Sequence, residues 1–411
     1  MPVNRCAGGG RRVLAVCLNP ALDITYEIDA LHRGSTHRVR RVHMRAGGKG
    51  VNVARVLQAL GVSVAVAGFA GGATGRHLDE ELGQAGLETR WVWVEGETRR
   101  CLAVFEQGVA QATEFNEPGP TIAKAAWEEF VSSFAEWVRR DEFAAVVFSG
   151  SLPPGLPADA YARLIRLARS AGVYTVLDTS GEALRQGLAA GPHLVKPNLR
   201  ELEELLERME HDVVATRGVA VEKGRAAPDS DWQPPVPPTP GKRPSGDSET
   251  TAAGAHVPPP GPCDRMPSDS CDPSGAHPPP CGEHTRGDAD RVAPQPPWLR
   301  HVRRAAEVLR RRGPTAVVVS LGADGVVAVT PAGTWRAQAP AVRGNPVGAG
   351  DALVAGLVYG ILRGSAWPER LAHGVAVAAA AVASPVAGRF EPETYASLRP
   401  QVRVVPLSSE E

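Results

Sequence analysis

Apolar positions along the chain follow two periods in turn. Val13 to Leu18, Val64 to Phe69, Ala144 to Phe148, Tyr174 to Leu177, His193 to Val195 and Ala316 to Ser320 are short and largely apolar, which predicts strands buried on both faces. Between them, spacings of three and four predict helices through Val53–Leu60, His77–Ala85, Ala125–Val138, Asp159–Ala171 and Leu299–Arg312. Strand and helix in alternation imply a parallel sheet covered by helices on both faces, an α/β fold. Two stretches break the alternation. Ile24 to Met44 alternates apolar and polar residues in patches. Leu87 to Val94 and Arg100 to Glu106 read as extended segments joined at Gly96-Glu97-Thr98-Arg99, a hairpin that would complete a small separate sheet spanning about 19–45 and 91–117.

The pattern stops altogether over residues 224–297. Half of the chain's 37 prolines lie there, among Gly, Ser, Thr and Asp with almost no aliphatic side chains. Such a segment buries too little apolar area to offset its chain entropy, so a disordered insert is expected, with its ends close together at the surface. Its Cys and His residues match no zinc spacing. The folded body is then 11–223 with 298–406. Formal net charge is zero, which gives no electrostatic case for nucleic acid or a membrane surface. No apolar run reaches the roughly 18–20 residues of a membrane span. The six Cys residues are unpaired in spacing, as for free thiols in a reducing cytoplasm.

The chemistry concentrates in Gly344-Asn345-Pro346-Val347-Gly348-Ala349-Gly350-Asp351, a glycine-rich loop opening a helix that runs through Leu353, Val354, Leu357 and Val358. Backbone N–H groups at such a start attract phosphate-like charge. Asp351 would repel a resting phosphate there. It suits a general base that takes a proton from an attacking hydroxyl, while the amides of Ala349, Gly350 and Asp351 hold the developing charge. An acidic first-turn residue is also simply common at helix starts. A second such start, Gly47-Gly48-Lys49-Gly50-Val51-Asn52, is no P-loop. Its glycines admit a small polar ligand, with Lys49 and Asn52 as donors. Asp23 follows the first strand, either where open α/β sheets keep their ligands or simply as a turn residue. Arg99 is placed either to fork onto a phosphate or to sit exposed in a turn. Asn198 and Glu201 suit a hydrated Mg²⁺, and equally a capping box. Ser320 and Gly322 close a strand with room for a flat or phosphorylated ligand. The Ala-rich run from His373 to Ala383 permits close helix packing or an adenine slot.

The two glycine-rich starts, in this order and separation, resemble the ribokinase-like (PfkB) family of carbohydrate kinases. Leu18-Asn19-Pro20-Ala21-Leu22-Asp23, Gly150-Ser151-Leu152-Pro153, Lys196-Pro197-Asn198 and Ser320-Leu321-Gly322 are most similar to its 1-phosphofructokinase and tagatose-6-phosphate kinase branch. The resemblance implies a ribokinase-like three-layer α/β sandwich with a mostly parallel central sheet and a small β-sheet lid. It implies ATP and Mg²⁺ as cofactors and phosphorylation of a ketohexose phosphate, foremost fructose 1-phosphate. Tagatose 6-phosphate, fructose 6-phosphate and a sugar-phosphate sensor without turnover are the alternatives. In this scheme Asp351 is the base and Gly348, Ala349 and Gly350 form the anion hole. Asp23, Gly47, Gly48 and Asn52 bind sugar hydroxyls, and Lys49 and Arg99 the phosphate already present. Lys196, Asn198, Glu201, Ser320, Gly322, Ala323, Gly325 and Gly350 line the nucleotide site, with Asn198 and Glu201 reaching Mg²⁺ through water. Asn345-Pro346 stands where many members have Asp-Thr, a form found on the tagatose-6-phosphate side, so the substrate stays open. A cytoplasmic protein, paired as a homodimer through the lid, is expected.

Overall fold

The computed structural model describes residues 12–106, 108, 111–140, 142–218, 296–384 and 390–407. The expected Pro-rich insert lies outside the described residues, apart from its last two positions. In chain order the strands are β1 Arg12–Cys17, β2 Ala21–Ile28, β3 Arg41–Gly47, β4 Val64–Gly71, β5 Glu88–Val94, β6 Arg99–Glu106, β7 Gln111–Asn116, β8 Phe143–Ser149, β9 Tyr174–Asp178, β10 Leu194–Val195, β11 Ala316–Ser320, β12 Val326–Thr330, β13 Gly333–Gln338 and β14 Arg403–Pro406. The helices are α1 Lys49–Ala59, α2 Gly72–Gln84, α3 Lys124–Arg139, α4 Ala160–Ser170, α5 Gly181–Ala189, α6 Leu199–Gly218, α7 Pro297–Arg310, α8 Ala349–Leu362, α9 Trp367–Val382 and α10 Pro392–Leu398.

One sheet runs β14-β13-β12-β11-β10-β9-β8-β1-β4-β5. Pairings from β11 through to β5 are parallel, and those from β11 out to β14 are antiparallel. The unbroken apolar runs have a simple cause: each central strand feeds two cores. In β1, Val13, Ala15 and Cys17 pack with Val51, Leu57, Leu353 and Leu357 on one face. Leu14, Val16 and the following Leu18 pack with Phe130, Tyr161 and Leu202 on the other. This is the expected three-layer sandwich. α6 and α7, which flank the insert, pack against each other. Among the described residues no helix is long and apolar enough to cross a membrane.

A second sheet is present, in the order β3-β2-β6-β7, but not as the hairpin expected over 87–106. β5 is an edge strand of the large sheet, parallel to β4, so residues 91–94 do not belong to the small one. β6 pairs with β2 in parallel instead. The reason lies in the joint. Thr98 N–H donates to Gly71 O and Gly71 N–H donates to Thr98 Oγ1, both at 3.0 Å, which ties the crossing to the end of β4. α2 also begins at Gly72, before the expected His77. Glu97 supplies the missing cap by accepting the N–H groups of Ala73 and Thr74 at 3.1 and 2.9 Å. The register of the small sheet sets Asp23, Arg45, Cys101 and Asn116 in one row and Thr25, Ala103 and Glu114 in the next.

Candidate functional site

A cleft of about 950 Å³ opens at the C-terminal ends of the parallel strands, walled on one side by the small sheet. It brings together Asp23, Gly48, Lys49, Asn52, Arg99, Lys196, Asn198, Ser320, Gly322, Ala323, Gly325, Gly348, Ala349, Gly350 and Asp351, all expected in the site. Gly47 and Glu201 stand behind its wall. Gly47 makes room for Asp23: a Cβ there would lie 1.9 Å from the carboxylate.

Asp351 enters from the first turn of α8 and is 5% exposed. Asn52 Nδ2 donates to its Oδ2 at 2.9 Å. Burial, then the nearby Asp178 charge, pushes the Asp351 carboxyl up to about 7, against the opposing pull of Lys49, Asn52 and Lys196. A carboxylate with that midpoint exchanges a proton near neutral pH, as a general base must. The loop before it is a tight turn. Val347 N–H donates to Asn345 Oδ1 at 3.0 Å, and Gly348 takes φ 81°. Ala349 N–H donates to Pro346 O at 3.1 Å, so its amide is engaged inside the loop. The amides of Gly348, Gly350 and Asp351 have no acceptor among the described residues, so only Ala349 leaves the expected set of donors.

Beneath this turn lies a charge that sequence reasoning missed. Asp178 ends β9, 1% exposed, with Lys196 Nζ at 3.1 Å and Lys49 Nζ at 3.8 Å from its Oδ1. The signal was available, since the apolar run Tyr174 to Leu177 predicts a strand that stops at Asp178, the placement that singled out Asp23 after the first strand. Asp178, more than any other group, holds the Lys49 ammonium above its usual range.

Across the cleft, burial raises the Asp23 carboxyl to about 6, partly offset by the Gly48 N–H, Arg99 and Arg45. Arg99 Nε donates to Asn19 O at 3.2 Å and its Nη1 to Glu117 O at 3.4 Å. The rest of the guanidinium has no partner among the described residues and lies in the cleft wall. At the opposite end the lining turns apolar, with Val375, Ala378, Ala379 and Val382 of α9 facing Pro340 and Val342. The Ala-rich helix packs closely on α8 and also lines the cleft. Its Gly374 packs on Gly356 of α8, where a Cβ would meet Gly374 Cα at 2.7 Å, and its next turns line the slot.

Asn198 and Glu201 form the reciprocal capping box. Asn198 N–H donates to Glu201 Oε2 at 2.9 Å and Glu201 N–H to Asn198 Oδ1 at 2.8 Å. Among the described residues no three acidic, His or Cys side chains gather as a metal cage. One buried carboxylate and one amide oxygen, both hard donors, fit a Mg²⁺ carried by phosphates and water, not a protein-caged ion.

The description "pfkB family carbohydrate kinase" matches residues 17–226 and 289–394. The tagatose-6-phosphate kinase of Staphylococcus epidermidis is 40% identical over 196 residues, 47% of this chain, and the match spans 62% of that relative's length. The 1-phosphofructokinase of Escherichia coli K12 is 29% identical over 399 residues, 97% of this chain and 99% of the relative. In fold, the chain is similar to phosphofructokinase-2 from Escherichia coli solved in complex with fructose-6-phosphate. The TM-score is 0.67 at 23% identity, over 95% of this chain and 98% of that one.

Proposed function

The chain belongs to the pfkB family of carbohydrate kinases, and on that footing we propose that it moves the terminal phosphoryl group of ATP onto a hydroxyl of a ketohexose phosphate, fructose 1-phosphate foremost. The observation that carries this reading is a buried Asp351, poised near neutral pH, beside the open amides of α8 in a cleft that also holds Arg99. Asp23 and Asn52 orient the sugar hydroxyls. Asn52 also holds the Asp351 carboxylate toward the incoming hydroxyl, and Arg99 takes the phosphate already on the sugar. Asp351 accepts the hydroxyl proton as the oxygen attacks, and the Gly350 and Asp351 amides meet the charge that develops on the transferred group. The nucleotide lies between Ser320–Gly325 and the apolar slot of α9, with Lys196 at its phosphates. Asn198 and Glu201 meet Mg²⁺ through water, and the ion when bound neutralises phosphate charge. Closing the small sheet over the sugar keeps water from the phosphorus. The outer face of that sheet, where Val42, Met44 and Phe115 are 53%, 52% and 54% exposed, is where a second copy of the chain pairs.

A panel of hexose phosphates tests this. ADP release is expected with fructose 1-phosphate and ATP–Mg²⁺, and a drop of about 10²–10⁴-fold in Asp351→Asn. A wild-type rate in that variant refutes the mechanism. Asn345-Pro346 favours tagatose 6-phosphate as second reading, and a higher kcat/KM for that sugar decides for it. Saturable binding without ADP points to a sensor.

A further inference from the structure

Asp178 is buried in the middle of this machinery, and the steps above give it no task. Its position is built in from several elements. Gly150 N–H donates to Asp178 O at 3.0 Å, and Ser149 Oγ donates to its Oδ2 at 3.4 Å. Gly150 O in turn accepts the hydroxyls of Thr179 at 2.8 Å and Tyr161 at 3.1 Å. The other carboxylate oxygen, Oδ1, accepts no hydrogen bond among the described residues. It faces two ammonium groups instead, Lys196 Nζ and Lys49 Nζ, from different parts of the chain. Lysine stems are long and flexible, so two of them converge on a point only when something anchors them. Lys196 Nζ also lies 3.6 Å from the place a Cβ on Gly350 would occupy, against the first turn of α8.

We propose that Asp178 is a positioning residue that gathers Lys49 and Lys196 into a pair of ammonium groups around the phosphoryl group in transfer, beside the Gly350 and Asp351 amides. The inference rests on the kinase reading above and assigns Lys49 a different phosphate from the one the sequence suggested. The charged groups acting on Lys49 are Asp178, Asp351 and Glu201. Lys49 Nζ stands at Asp178 Oδ1, whereas Arg99 is held on the Asn19 and Glu117 carbonyls, so the two cations are anchored in different walls of the cleft. Asp178 also bears on the base. Asp351 is faced by Lys49 and Asn52 of α1, Asp178 of β9, Lys196 before α6, and Cys17 of β1, whose thiol burial lifts to about 11 and keeps neutral.

The test is the full-length Asp178→Asn enzyme, assayed with fructose 1-phosphate and ATP–Mg²⁺ across pH, next to wild type and Asp351→Asn. The expected result is a fall in kcat of about 10–100-fold with the sugar-phosphate KM within about twofold. The acidic limb of kcat/KM is expected to move down by about one pH unit, because an anion facing Asp351 is gone. An unchanged kcat and an unmoved limb overturn the inference. Asp351→Asn separates the two failures. Full activity there refutes the base assignment and this inference with it, whereas loss of activity there with an unaltered Asp178→Asn profile refutes this inference alone. If Asp178→Asn does not fold, Lys49→Met decides. A lowered kcat with unchanged sugar-phosphate KM supports the assignment, and a raised KM with unchanged kcat overturns it.

Discussion

The helices α1 and α8 start alike and are built for different ends. Each begins on a glycine of positive φ, Gly48 at 94° and Gly348 at 81°, and neither has a side chain capping its first turn. In α1 the neighbouring glycines exist because the protein fills their space. A Cβ on Gly47 would strike the Asp23 carboxylate, and one on Gly50 would stand 2.6 Å from Cys17 Cβ. In α8 a Cβ on Gly350 meets only the Lys196 ammonium, at an ordinary 3.6 Å. On the proposed reading, the space beside Gly350 is kept for the group in transfer. Two glycine-rich starts thus differ in what their glycines meet, packed protein at Gly47 and Gly50 and open cleft at Gly350.

That contrast is open to attack by substitution. Gly350→Ala should fold with a melting temperature within a degree or two of wild type, since Ala is the better helix former and no backbone stands in its way. Its kcat should fall by about 10²-fold, because the methyl intrudes where the transferred group develops charge. A fully active Gly350→Ala enzyme, measured by coupled ADP release, would make the two starts equivalent. Arg99→Ala should raise the sugar-phosphate KM by about 10–100-fold, the loss of charge-assisted hydrogen bonds, with kcat changed only a few-fold. An unaltered KM would detach Arg99 from the substrate phosphate. Gly47→Ala should show the opposite profile to Gly350→Ala. Calorimetry should find it several degrees less stable, with the sugar-phosphate KM raised by the displacement of Asp23 and kcat changed less than in Gly350→Ala.

How much the sequence disclosed follows from how local each feature is. Both glycine-rich starts and the strand–helix alternation are written in neighbouring residues, so the layers, Asp351, Asn52 and Lys196 were readable. The assignment of β5 was not. Residues 88–94 carry an ordinary strand pattern, and which sheet they join is decided by Thr98 meeting Gly71 across space. The start of α2 depended on Glu97 reaching back to cap it. Asp178 was not singled out, because the two lysines that define it arrive from distant segments. Asn198 and Glu201 could be read two ways, and the reciprocal hydrogen bonds between them are the local capping box that the four-residue motif spells.

The central claim is that Asp351, held near neutrality by burial and by Asp178, removes the sugar's proton. The direct measurement is kcat/KM for fructose 1-phosphate against pH, in wild type and in Asp351→Asn. A base must be ionised to act, so as pH falls below about 7 the wild-type value should drop about tenfold per unit, and above it should level off. The residual rate of Asp351→Asn should lack that limb. A wild-type profile flat through neutrality, or a limb that persists unchanged in Asp351→Asn, would contradict the account.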